Sequence, residues 1–102
     1  MKRDEILETA AELISGERQT TYGSAYDSHA RIADMWAAYL NGVMKRQKMA
    51  GWQMLSISPT DVAAMMVLMK VSRSVNSEHA DNWVDIAGYA ALAGEMESEG
   101  DE

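Results

Sequence analysis

Apolar residues recur along this chain at the three- and four-residue spacing of α-helices. Nowhere do four or more positions alternate apolar and polar convincingly, so strands are not expected. A first helix is expected from about Asp4 to Ser15, with Ile6, Ala10, Leu13 and Ile14 as its buried stripe and Gly16 just past its end. A polar loop, residues 17–23, follows. A second helix is expected from about Tyr26 to Met44, where Ile32, Met35, Trp36, Tyr39, Leu40 and Val43 fall at helical spacing. Lys45 to Ile57 reads as a connection with room for extra helical turns.

The third helix has the clearest start. Ser58 can cap it, Pro59 suits a first helical position whose N–H has no partner in the helix, and Asp61 favours the positive end. Val62 to Met69 then has no polar face, and a helix that is apolar all round is normally enclosed on most sides. This is the expected central helix. A fourth is expected from Ser77 or Glu78 to Met96. The prediction is an all-α, compact, four-helix bundle-like domain over residues 1–96, with an acidic, frayed end at 97–102.

Composition narrows the possibilities. At 102 residues and 47% apolar content the chain can form one core. A domain this short buries only roughly 60–70% of its unfolded surface, which favours a homo-oligomer. There is no Cys, so neither a disulfide scaffold nor a Cys-based zinc site is available. The apolar run Val62–Met69 is too short to cross a bilayer, and the charged start leads into an amphipathic helix rather than a signal segment. The expectation is a cytoplasmic protein with no membrane partner. Nine basic residues against sixteen acidic ones give a net charge of −7, which disfavours duplex nucleic acid. Five of those acids lie in the last eight residues, so the rest of the domain is only mildly acidic and leaves room for a small anionic ligand.

The candidate chemistry sits on the fourth helix. On a wheel of about 100° per residue starting at Asp81, Asp85 falls near 40°, Glu78 near 60° and Tyr89 near 80°. Gly88 and Leu92 share that side, while Trp83, Ile86, Ala87 and Ala90 lie opposite. A solvated face would carry Lys, Gln or Ser between the acids; Gly, Tyr and Leu suggest partial enclosure. Enclosed like charges need a cation or basic side chains. Magnesium is one such cation, held by one or two carboxylates with water and substrate phosphate. Lys70 and Arg73 are the others, on one side of the third helix next to the start of the fourth. They can neutralise Asp81 and Asp85 directly, or grip a phosphate that the metal bridges. A structural salt-bridge network between neighbouring helices uses the same residue types.

Elsewhere the signals are weaker. Glu8 and Glu12 lie one turn apart and could complete a metal site, although acids on a terminal amphipathic helix usually face water. His29 reads as a partly exposed surface residue of the second helix, and His79 as a capping or surface residue. No HExxH and no phosphate-binding Gly-rich loop is present.

Four stretches together resemble a family of small bacteriophage and prophage proteins: Arg18-Gln19-x-x-Tyr22-Gly23, His29-x-Arg31-Ile32-Ala33-x-x-Trp36-x-x-Tyr39-Leu40, Asp61-Val62-Ala63-x-Met65-Met66-x-Leu68-x-Lys70 and His79-Ala80-Asp81-Asn82-Trp83-Val84-Asp85-Ile86-Ala87-Gly88-Tyr89-Ala90. More remotely, the Tyr-Gly loop, Lys70-x-x-Arg73 and Asp81-x-x-x-Asp85-x-x-x-Tyr89 look like phage nucleotide-modification-associated domains and MazG-like all-α nucleoside triphosphate pyrophosphatases. That resemblance implies an oligomer that binds magnesium through helix-borne acids and splits the α–β phosphate link with a metal-bound water. Glu78, Asp81 and Asp85 would match the second acidic motif; the first, Glu-Glu-x-x-Glu, is absent, and Glu8-x-x-x-Glu12 is a loose stand-in.

Two functions follow from it. In a magnesium-dependent pyrophosphohydrolase, Asp81 and Asp85 would be catalytic and hold the metal with Glu78 or Glu12. Lys70 and Arg73 would neutralise the phosphates, Tyr22 or Trp83 would stack on the base, and Arg18 and Tyr89 are further candidates for binding the ligand or its phosphates. In a non-catalytic binder, the same pocket would sequester a host nucleotide signal as an anti-defence sponge. A structural or inhibitory accessory protein would bind no nucleotide at all.

Overall fold

The computed structural model describes residues 1–15 and 24–100, which form four α-helices and no strand. Helix α1 is Arg3–Leu13, α2 is Ala25–Arg46, α3 is Pro59–Asn76 and α4 is Ala80–Gly100. Each has a local reason to exist. Asp4 and Glu5 lie in the first turn of α1, where the helix dipole favours negative charge. Ser24 caps α2, its hydroxyl accepting the Asp27 N–H at 3.0 Å, and Lys45 and Arg46 complement the negative end. In α3 the cap is reciprocal: the Asp61 N–H donates to Ser58 Oγ at 3.1 Å, and the Ser58 N–H donates to Asp61 Oδ2 at 2.9 Å.

The connection between α2 and α3 holds no further helix; it is a pair of turns and an extended run. Gly51 takes a left-handed φ of 72°, which costs a residue without Cβ nothing. The Asn41 side chain fastens the extended run to α2, donating to the Leu55 carbonyl at 3.0 Å and accepting the Leu55 N–H at 2.7 Å.

Helices α3 and α4 form an antiparallel hairpin. At one end the Asn82 amide donates to the Ser77 carbonyl at 3.3 Å, and at the other the Thr60 hydroxyl donates to the Ala93 carbonyl at 3.5 Å. Ser77 is extended, so Ser77-Glu78-His79 forms a link and the fourth helix starts at Ala80 rather than at Ser77 or Glu78. At its other end α4 continues past Met96, itself buried, to Gly100.

The central helix is α4, not α3. It packs against α1, α2 and α3, and it contributes buried Asn82, Val84 and Met96. The contribution of α3 to the core is Val62 and Ala63, while its Leu68 is 67% exposed and its Val75 82% exposed. A helix with no polar face can be enclosed only if neighbours surround it. Here α2 and α4 flank α3, and α1 packs on α4 instead. No helix among the described residues is long and apolar enough to cross a membrane.

The α3 cap offers a direct check. Ser58→Ala leaves the Asp61 N–H without its acceptor and is expected to cost about 1 kcal/mol, whereas Ser58→Gly costs a few tenths. By thermal circular dichroism this is a fall in Tm of roughly 4–8 °C for the alanine variant and little change for the glycine variant.

Candidate functional site

Helices α1, α2, α3 and α4 border a half-open pocket of about 430 Å³. That lies within the range of about 300–1,000 Å³ usual for small-molecule sites. Its apolar wall comes from Leu13 of α1 and Ile14 at its C-cap, Ile32 of α2, Val62 and Met66 of α3, and Leu92 of α4. Gly88 lies close under the C-cap of α1: a Cβ there would stand 3.2 Å from the Ile14 Cγ2 atom. The absence of a side chain at this position lets the end of α1 close one side of the cavity.

Polar groups enter this wall at a few points. Lys70 and Asp85 face each other across the α3–α4 hairpin, Nζ to Oδ2 2.9 Å, with side chains 14% and 34% exposed. Both line the cavity. The four-carbon stem of Lys70 thus runs through the apolar wall and its ammonium meets the carboxylate at the edge. On the α2 side stand Ser24, Tyr26, Ser28 and His29. His29 is buried, its Nδ1 2.8 Å from the Ala25 carbonyl. A carbonyl can only accept, so Nδ1 carries the proton and Nε2 is the ring's remaining polar atom. Its ring meets Tyr89 edge-on, with centroids 6.4 Å apart at 65°. Tyr26, His29 and Tyr89 make one part of the lining aromatic.

The structure gathers some of the residues singled out from sequence and separates others. Lys70, Asp85 and Tyr89 all line the cavity. Asp81 and Arg73 are exposed, as is Glu78, which precedes α4 instead of riding on it. Trp83 is on the far face of α4, 51% exposed and outside the lining. Glu12 faces solvent on α1. Arg18 and Tyr22 lie outside the described residues. Magnesium requires converging oxygen ligands. Among the described residues no group of three or more His, Asp or Glu side chains stands close enough to hold a metal ion.

Two contributors differ from the reading of the sequence. His29 is a buried wall residue, not a partly exposed surface one, because its ring turns inward onto Tyr89 and back to its own helix. Glu95 lines the cavity although it falls at the head of the acidic C-terminal run. Placing His29 on the same helical face as Ile32 and Ala33 would have revealed the first. The second needed the packing of α4 against the other helices, since Glu95 already lay within the expected fourth helix.

The chain belongs to the family described as a domain of unknown function, DUF6378, whose profile matches residues 5–97. It is 43% identical over 98 residues to the Gene 55 protein of Mycobacterium phage L5, the match covering 95% of this chain and 55% of that protein. The Gene 55 protein of Mycobacterium phage D29 is 36% identical over 88 residues, covering 85% of this chain and 50% of that protein. The chain spans about half the length of the curated relatives it matches. No solved structure matches it. The resemblance to a phage protein family is thus confirmed.

The Lys70–Asp85 pair should respond asymmetrically to mutation. Asp85→Ala strands a mostly buried ammonium and is expected to cost roughly 2 kcal/mol, below the 3–5 kcal/mol of a fully buried pair. Lys70→Met keeps the apolar stem and leaves a carboxylate that water can reach, at a cost under about 1 kcal/mol. Urea denaturation of both variants and of the double variant checks the order. Equal losses, or the reverse order, would show that the pair is not desolvated as described.

Proposed function

We propose that this phage-family protein binds a small phosphate-bearing ligand of nucleotide type in the four-helix cavity and holds it without altering it. The observation that carries this reading is Lys70, a mostly buried cation at the edge of a 430 Å³ pocket whose lining also includes Tyr26, His29 and Tyr89. An ammonium can release Asp85 to meet a phosphate through charge-assisted hydrogen bonds. The aromatic edges suit a planar base, and the N-terminus of α2, capped by Ser24 at the cavity wall, adds partial positive charge. In a host cell such a protein would withdraw a nucleotide signal from a defence pathway.

Magnesium-dependent pyrophosphate hydrolysis of MazG-like type is the second reading. What favours it is Asp85, a carboxylate beside Lys70 on the cavity wall, where a magnesium–nucleotide complex would need one. Sequestration ranks above it because Asp81, Glu78 and Glu12 are exposed and none of them lines the pocket beside Asp85.

The test is to heat-denature the purified protein and identify released small molecules by mass spectrometry. Calorimetric titration with nucleoside phosphates and cyclic dinucleotides, with and without magnesium, then follows. The expected result is a bound nucleotide recovered unaltered, with affinity reduced about 10- to 100-fold in Lys70→Met, as for one lost charged hydrogen bond. Affinity should be unchanged in Trp83→Ala. Pyrophosphate release would transfer the assignment to the hydrolase, and no binding across the panel would overturn both.

A further inference from the structure

We infer that His29 makes the pocket selective for a ligand whose planar part carries an exocyclic amino group, the class of adenine, guanine and cytosine nucleotides. This rests on the reading of the pocket as a nucleotide site and adds which base edge it accepts. His29 is 9% exposed, and it is the polar member of the pocket's buried lining residues. Its Nδ1 stands 2.8 Å from the Ala25 carbonyl, which can only accept, so that nitrogen carries the ring proton. With Nδ1 turned back onto α2, Nε2 points away from its own helix. Among the described residues it has no hydrogen-bond partner.

An unprotonated Nε2 has a lone pair and no hydrogen, so it accepts and cannot donate. The hydroxyls of Tyr26, Ser28 and Tyr89 in the same lining impose no such demand, since each can turn to give or take. A ligand that displaces water from a buried acceptor and leaves it unpaired binds less well. The part of the ligand against His29 therefore has to bring an N–H. Phosphate oxygens are acceptors themselves and belong with the Lys70 ammonium instead. An exocyclic amine projects its hydrogens from the rim of a base. The ring N–H of uracil or hypoxanthine lies beside a carbonyl oxygen, which would bring a second acceptor toward the same nitrogen.

Pairs of nucleotides that differ by this amino group alone are ATP and purine riboside triphosphate, GTP and ITP, CTP and pyrimidin-2-one riboside triphosphate, and cyclic di-GMP and cyclic di-IMP. Calorimetric titration of the full chain is expected to show, in at least one pair, the amino member binding about 10-fold more tightly, the effect of one hydrogen bond to a buried acceptor. His29→Phe keeps an aromatic ring against Tyr89 and removes the acceptor. It orphans nothing on α2, because in an α-helix the Ala25 carbonyl also takes the backbone N–H of residue 29. In this variant the ratio within the pair should fall to about one, through weaker binding of the amino member.

A second measurement needs no substitution in the pocket and decides the matter if His29→Phe fails to fold. The chain has two histidines, so His79→Gln assigns the ring ¹⁵N resonances. The Nε2 signal of His29 should be that of an unprotonated nitrogen, shifted by the amino member of the pair and not by its partner. Nucleotides that bind without a difference in any pair, a ratio that survives His29→Phe, or an Nε2 that gains a proton on binding would each overturn the inference and leave the nucleotide site standing. If no member of any pair binds, the nucleotide reading falls with it.

Discussion

The packing of three helices onto α4 is the constraint on which the rest of this structure depends. Helix α4 has apolar or small residues on successive sides: Val84 and Met96 are buried, and Gly88 is in close contact with α1. With α3 secured antiparallel along one side and α1 settled on another, the helices cannot all meet along one line, and the cavity is the space left between them. The core is correspondingly thin, with Val62 and Val84 as its largest fully buried side chains.

The same arrangement explains the placement of charge. Lys70 lies on the side of α3 that faces α4, so its ammonium needs a partner within the hairpin, and Asp85 supplies it. Of the basic pair, Lys70 meets an aspartate directly, whereas Arg73 is exposed. One turn earlier on α4, Asp81 reaches solvent, and Arg73 does so one turn later on α3. An ion pair bordering an apolar cavity is costly to maintain as pure scaffold. A ligand phosphate that can take the place of the carboxylate gives such a cation a use, which is why binding is the preferred reading of the site.

Much of the fold was legible in particular residues. The Ser58-Pro59-x-Asp61 signature located the start of α3, and Lys70 and Asp85 were anticipated as neighbours because a short link brings the end of one helix beside the start of the next. Less legible were the features that depend on which helix lies beside which. His29 looked like a surface residue because its inward turn depends on Tyr89, sixty residues further along the chain. The enclosure expected for the apolar run of α3 is not met: Met65, Leu68 and Met69 are exposed, because only α2 and α4 flank the helix.

The sequence by itself determined that the protein is all-helical, where its helices run to within a few residues, and that it resembles a phage protein family. Those properties rest on local signals: periodicity, caps and motifs read within a few turns of one another. Only the tertiary structure decided that α4 is the hub, that one aspartate of the stripe meets the cavity while the other meets water, and that Glu12 and Glu78 are exposed. Helical periodicity tells which residues share a face but not what that face is turned toward. The direction of a face is set by inter-helix packing between residues far apart in the chain, and no local pattern encodes it.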